Sequence, residues 1–309
     1  MFLRRTVSVV AAVVLAAATA LVLPAAAQAT TLAGAWAPLN RCPVDDPAML
    51  AADGVTVVAA CLSSSAPSGT FTIGATTLTA GATDLQLGVL NKAGVYTTVA
   101  PAAGTVVGAP VDIPGGLLGL MCPSAIPFVT GICLQLANNP LNKVTATIES
   151  AGAPTDFNLA AGTGVGTPIM TLPVKVKLDN PFLGSTCYIG SNSAPILLKP
   201  ANLTKPTAKV VRFNADGTAN TAGQMGYLSL SGAAQGDSTF AVPKSNGCGL
   251  FGILSGAVDL KQGLPSAAGA NSLVLNDAVT NLGGFQVPRN FAPTEGQQLS
   301  DRWHAAVVG

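Results

Sequence analysis

Residues 173–179 read "PVKVKLD", and this stretch decides the fold class. Val174, Val176 and Leu178 alternate with Lys175 and Lys177, so an extended chain puts apolar side chains on one face and ammonium groups on the other. That is a strand in a sheet with one buried side and one wet side. Similar runs precede it: "TFTIG" (70–74), "DLQLGVL" (84–90), "GVYTTVA" (94–100) and "KVTATIES" (143–150). Others come later: "AKVVRFN" (208–214), "GYLSLSG" (226–232), "STFAVP" (238–243) and "SLVLND" (272–277). Gly, Pro, Asn and Asp gather between them, and "NADGTAN" (214–220) carries an Asp-Gly turn signal. Nothing reads as strand–helix alternation, which disfavours a parallel sheet. The pattern predicts a mainly β chain with few short helices: an antiparallel β-sandwich, either one large sandwich or two related halves. One short helix is expected at "DPAMLAADG" (46–54), with Asp46 as N-cap, Pro47 at the first helical position and Gly54 as stop.

The first 29 residues read as a signal peptide. Arg4 and Arg5 form its positive end, Val7 to Leu23 its apolar centre, and Ala27-Gln28-Ala29 its small-x-small cleavage site. The organisation expected from there is an N-terminal β-rich half over 30–110 and a C-terminal β-rich half over 111–285. A polar tail completes the chain over 286–309. The boundary rests on "PAAGTVVGAPVDIPGG" (101–116), where Pro and Gly concentrate.

Charged residues make up 9% of the chain, against roughly 25% in a usual soluble domain. Without Arg4 and Arg5, the 15 Lys and Arg fall to 13, against 14 Asp and Glu. No basic patch is evident, which excludes nucleic acid as the expected partner. A neutral, hydroxyl-rich surface suits a protein residing in a cell envelope or extracellular matrix. Cys42, Cys61, Cys122, Cys133, Cys187 and Cys248 make six cysteines, an even number that in an exported chain predicts three disulfides. Six cysteines allow fifteen pairings; local loop closure favours 42–61, 122–133 and 187–248. None of the spacings is C-x-x-C and the chain has 1 His, so no zinc site and no cofactor are expected.

Positions 113–142 carry no charged residue. A spanning helix needs about 20 apolar residues, but Pro114, Pro123, Pro127 and Pro140 interrupt this run, and irregular backbone facing lipid would leave amides unsatisfied. No transmembrane span is expected in the mature chain. The run is read as a disulfide-stapled apolar loop with a short helix over 132–138. Leu120, Ile126, Phe128 and Ile132 are expected to cap the core. The competing reading is an exposed patch that takes lipid or an apolar small molecule.

Catalytic candidates are few. "GDSTF" (236–240) and "DRWH" (301–304) resemble the Gly-Asp-Ser and Asp-x-x-His blocks of the GDSL lipase/esterase family. That resemblance implies Ser238 as nucleophile, His304 as base and Asp301 as its orienting partner. The gap between the blocks is too short for the flavodoxin-like domain of that family, and its oxyanion-hole blocks are not recognisable. Asp45 and Asp46 are the adjacent acidic pair, better explained by helix capping than by acid–base work. Asn202-Leu203-Thr204 is a glycosylation sequon. Asn214, Asp216 and Asn220 read as a turn before a calcium loop.

The phrases "RCPVDDPAML" (41–50), "NPFLGSTCYIGS" (180–191), "FAVPKSNGCG" (240–249) and "GLPSAAGANSLVLN" (263–276) resemble a family of secreted, β-rich proteins of actinobacterial type with no known activity. The resemblance implies secretion and a β fold and supplies no catalytic residue. The function expected is a secreted, non-catalytic structural, adhesive or binding module of the cell envelope. Its partner is a cell-envelope component or an apolar ligand.

Overall fold

A computed structural model describes residues 30–122, 130–131, 140–286 and 293–308. The chain opens with a 3-10 turn (Gly34–Leu39) and the short helix α1 (Pro47–Leu50), whose Asp46 carboxylate accepts the Ala48 N–H at 2.8 Å. The first strands are β1 (Val57–Ala66), β2 (Ser68–Ile73), β3 (Thr76–Ala80), β4 (Thr83–Lys92) and β5 (Val95–Val99). β6 (Val106–Gly108) and β7 (Val111–Asp112) lead into helix α2 (Gly116–Met121). Next come β8 (Thr145–Ser150), helix α3 (Leu159–Thr163), β9 (Leu172–Asp179), β10 (Tyr188–Ile189), β11 (Ile196–Leu198) and β12 (Ala201–Asn202). The last part holds β13 (Thr207–Phe213), β14 (Met225–Asp237), β15 (Ser245–Asn246), α4 (Ser255–Gln262), β16 (Ser272–Gln286) and α5 (Glu295–Ala305).

The fold is mainly β, as the alternation predicts. Among the described residues, 16 strands join in one antiparallel sheet. In β9 the burial alternates as expected: Leu172, Val174, Val176 and Leu178 are buried and the lysines between them reach outward. Strands from residues 30–110 and 111–285 share this sheet, because β1 lies between β4 and β16. The long strands β14 and β16 break register at Gly226/Tyr227, Leu230/Ala233 and Ala233/Gln235, and such bulges bend and twist a sheet. The "STFAVP" segment is not a strand. After Asp237 it leaves the sheet and makes a single bridge, Val242 to Ser266, because the Asp237 carboxylate turns the chain by accepting the Thr239 N–H and hydroxyl at 2.7 Å.

Three apolar clusters hold the sheet. One face of β1 and β4 is covered by the N-terminal segment and α5, burying Trp36, Met49, Phe213 and Trp303. Gly88 on β4 makes this approach possible, since a Cβ there would lie 2.7 Å from the Met49 sulfur. The opposite face is covered by the chain around α3, burying Leu62, Leu87, Phe157 and Met170. The largest cluster joins β2, β3, β8 and β9 to α2 and α4 through Phe71, Leu117, Leu120, Val174 and Val258. The C-terminal segment read as a polar tail carries α5, whose Trp303 indole N–H donates to the Leu39 carbonyl at 2.8 Å.

Two expected disulfides are at bonding distance, Cys42–Cys61 and Cys187–Cys248, with Cα separations of 5.6 and 4.1 Å. Cys122 is also disulfide-bonded, and Cys133 lies outside the described residues. Ile126, Phe128, Ile132 and the helix expected over 132–138 lie outside them too. Leu120 is buried beside Ile113, Leu117 and Met121, so the described start of the charge-free run faces the core. Among the described residues, no helix is long and apolar enough to cross a membrane.

Candidate functional site

The alternation of β1 places Cys61, Ser63 and Ser65 on the face covered by the N-terminal segment. Their partners on β4 are Gly88, Gln86 and Asp84. On β16, Asn281 stands opposite Ser63 and its amide donates to the Ser63 hydroxyl at 3.4 Å. The result is a polar row, Asn281–Ser63–Gln86, running across three strands whose other positions are largely apolar. The Cys42–Cys61 bond anchors the N-terminal segment next to this row and so brings in Asn40 and Arg41.

Arg41 organises the polar cluster at this end of the sheet. Its side chain is 9% exposed. Nε and Nη2 donate to one Asp84 carboxylate oxygen at 3.0 and 2.7 Å, and Nη1 donates to the Gly104 carbonyl at 3.0 Å. Gln86 completes the network: its amide donates to Asn40 Oδ1 at 2.8 Å and Asp84 Oδ2 at 3.0 Å, while its Oε1 accepts the Arg41 N–H at 2.8 Å. The Arg41 and Gln86 side-chain nitrogens each have an acceptor, as a buried charge demands, while the buried Thr105 hydroxyl beside them has no partner among the described residues.

Above this network lies an open groove of about 820 Å³, with Asn40, Ser63, Ser65, Asp84 and Gln86 on its floor and Pro38, Pro67 and Pro110 along its walls. All three protein hydrogen bonds to the Asp84 carboxylate fall on Oδ2, which leaves Oδ1 to accept from a ligand. Sequence reasoning missed these residues. The available signal was the alternation of Asp84 and Gln86 with Leu85 and Leu87; in β1, Ser63 to Ser65 are an unbroken serine run.

On the other face, Leu62, Leu85, Phe157, Met170, Leu230 and Leu282 enclose an apolar cavity of about 50 Å³. It continues past Leu159 into a shallower groove of about 250 Å³ beside Tyr96 and Phe285. Ser64 and Thr280 hydrogen-bond to each other there at 2.8 Å.

The residues read as a hydrolase triad do not meet. His304 Nε2 lies 2.9 Å from both Asp45 carboxylate oxygens, and Asp301 is exposed on α5. Ser238 is exposed just after Asp237, the last residue of β14. The first residue of that strand, Met225, touches Arg302 of α5, so the whole of β14 separates Ser238 from the helix that carries His304. Asp45 also accepts the Ser300 hydroxyl at 2.7 Å. Partial burial pushes its carboxyl up, but the hydrogen bonds from Ser300 and His304 and the His304 charge outweigh this and hold it below the ordinary value.

The remaining sequence candidates have structural partners. Asn202 is buried, and its amide donates to the Gly162 and Gly164 carbonyls at 2.8 and 2.9 Å, which withholds it from glycosylation in the folded chain. Asn214, Asp216 and Asn220 form a self-contained turn, with Asp216 accepting the Thr218 N–H at 2.9 Å and Asn220 donating to Asn214 at 2.8 Å. Among the described residues, no three His, Cys, Asp or Glu side chains converge as a metal site would require.

No family model matches the sequence, and no curated protein or solved structure matches it either.

Proposed function

We propose that the chain is a secreted, non-catalytic binding module of the cell envelope, and that the Ser63–Ser65–Asp84–Gln86 groove takes a hydroxyl-rich oligosaccharide. The observation that carries this reading is the preorganised polar floor. The Gln86 amide and the Asp84 carboxylate are held by Arg41 and Asn40 before any ligand arrives, and a rigid floor lowers the ordering cost of binding. The exposed Ser65 hydroxyl and the Asp84 Oδ1 are the groups that reach sugar hydroxyls, while the rings of Pro38, Pro67 and Pro110 present apolar sides to sugar C–H faces. Export is supported by the signal-peptide pattern of residues 1–29 and by two disulfides at bonding distance. The non-catalytic reading is supported by the use of His304 as a tie between α5 and Asp45.

Titration calorimetry of the mature chain against neutral oligosaccharides from envelope polysaccharide tests the reading. Binding is expected for the wild type and lost in Ser65→Leu, which fills the groove at an exposed position. The absence of heat with every oligosaccharide, or equal binding by the variant, would overturn it.

A second reading has its own observation. The apolar cavity behind Leu159 suits an apolar small molecule, with Leu159 displaced to enlarge the 50 Å³ now enclosed. It relocates the apolar-ligand expectation from 113–142 to the α3 face.

A further inference from the structure

Where β10 and β11 run beside residues 237–245, the sheet comes apart between two closed ends. At one end Ile189 pairs with Ser245, and the Gly190 N–H donates to the Lys244 carbonyl at 3.3 Å. At the other end the Lys199 N–H donates to the Asp237 carboxylate at 2.6 Å. Between these ends, β11 and residues 239–243 form the sides of an open groove of about 670 Å³. Pro195 and Pro243 stand along it and have no N–H with which to close the ladder.

Each side of the groove presents an unpaired backbone edge. In an antiparallel ladder, one residue turns both backbone groups toward a neighbouring strand and the next turns them away. On β9, Pro173 has no N–H, and its carbonyl accepts the Ala151 N–H at 3.0 Å, so Pro173 faces the β8 side. Its partner on β11 is Leu197, whose N–H and C=O therefore point away from β9 and into the groove. On the opposite side, Val242 and Ser266 exchange both backbone bonds at 2.9 Å, and the Phe240 carbonyl accepts from the Asn271 amide at 3.1 Å. Phe240 and Val242 are buried with exposed Ala241 between them, the alternation of extended chain. The Ala241 N–H and C=O accordingly turn the other way, toward β11. Among the described residues, none of these four groups has a hydrogen-bond partner.

Two donor–acceptor pairs on facing extended edges are the complement of a third peptide backbone. Consecutive residues of an inserted strand turn to opposite sides, so one bonds Leu197 and the next bonds Ala241. Pro265, Ala267 and Ala268 line the groove behind Ala241, and Lys199 is the one charged residue along it, which suits small apolar side chains. Residues 238–243 separate the closed ends and span at most about 20 Å, at roughly 3.3 Å per residue. The edge strand of a second folded copy would run past both ends, whereas a short peptide fits between them.

We propose that this groove takes a short, uncharged, extended peptide, which pairs as an added strand with Leu197 of β11 on one side and Ala241 on the other. Main-chain hydrogen bonds supply the affinity in this mode of recognition. The proposal goes beyond the sugar-groove reading and does not depend on it, since the two grooves share no lining residue.

Nuclear magnetic resonance of the isotope-labelled mature chain, titrated with acetyl-tetra-alanine amide and with acetyl-Ala-Val-Ala-Val amide, tests the proposal. With at least one peptide at up to about 10 mM, the Leu197 and Ala241 amide protons should shift downfield saturably. Their exchange with heavy water should slow by at least about tenfold, while the Val242 amide, already bonded to Ser266, keeps its rate. The same peptides with alternate amides N-methylated keep their side chains but lose the donors, and should bind at least about tenfold more weakly. Ala268→Phe, which fills the groove at an exposed position, should also weaken binding without moving the thermal melt. No saturable shift with either peptide, or equal binding by the N-methylated forms, would overturn the proposal. Shifts at Leu197 and Ala241 that grow with protein concentration alone would assign the groove to a second copy and overturn it as well. The variant Ser65→Leu should bind the peptides like the wild type, so failure of sugar binding and failure of peptide binding are distinguishable.

Discussion

Asp45 shows how a single carboxylate is assigned by its surroundings. In the sequence it is half of an acidic pair beside a helix start. In the structure only Asp46 caps α1, while Asp45 reaches across to Ser300 and His304 of α5. Its folded-state pKa lies below the ordinary 3.8, so folding favours the charged form. The contribution is full above the unfolded value and is lost as pH falls through the folded one. The side chain is 63% exposed, so Asp45→Asn should cost less than about 1 kcal/mol near neutrality. The melting curves of variant and wild type should converge in acid, once the pH is below the folded-state value. A difference that persists unchanged in acid would show that the loss is steric rather than ionic.

At the scale of elements, the decisive property is how many faces of a strand are covered. β4, covered on both faces, is legible only through its Asp84–Leu85–Gln86–Leu87 alternation, whereas β9 and β2 are legible because one face is wet. β1 is not, although it lies at the centre of the sheet between β4 and β16. Its "VVAACLSSSA" is covered by the N-terminal segment on one face and the α3 segment on the other, which erases alternation. The C-terminal extension of β16 through "AVTNLGGFQ" is hidden for the same reason. In α2 the apolar residues turn inward. Leu120→Ala is therefore expected to cost about 2–5 kcal/mol, read as a lowered urea midpoint. A variant that melts like the wild type but no longer floats with vesicles would place Leu120 on a lipid-facing surface. The segment read as a tail is a helix because Leu299 and Trp303 find a core to enter, a signal too sparse among polar neighbours to read from sequence.

For the whole molecule, the described disulfides fasten two distant parts of the fold. Cys42–Cys61 closes a separation of 19 residues beside the polar groove, and Cys187–Cys248 a separation of 61 beside β10 and β15. Loop-closure entropy assigns them about 3 and about 4 kcal/mol respectively. Replacing either pair with serine should lower the melting temperature, with the larger loss at 187–248. The wild type denatured without reductant should take up no iodoacetamide, and any labelled thiol would contradict the expectation of three disulfides. The sequence by itself determined the β class, most strands with a wet face and the Asp46 cap; it favoured the pairs Cys42–Cys61 and Cys187–Cys248 but left fifteen pairings open. Each depends on neighbours close in the chain or on a two-residue period. Only the tertiary structure decided that β1 joins both parts of the chain in one sheet and that Asn281, Ser63 and Gln86 form a row. It also decided that His304 meets Asp45 rather than Ser238, and that β11 and residues 239–243 stand apart around a groove. Those facts come from pairing across long separations, and strand register is set by the burial of whole faces rather than by any local pattern.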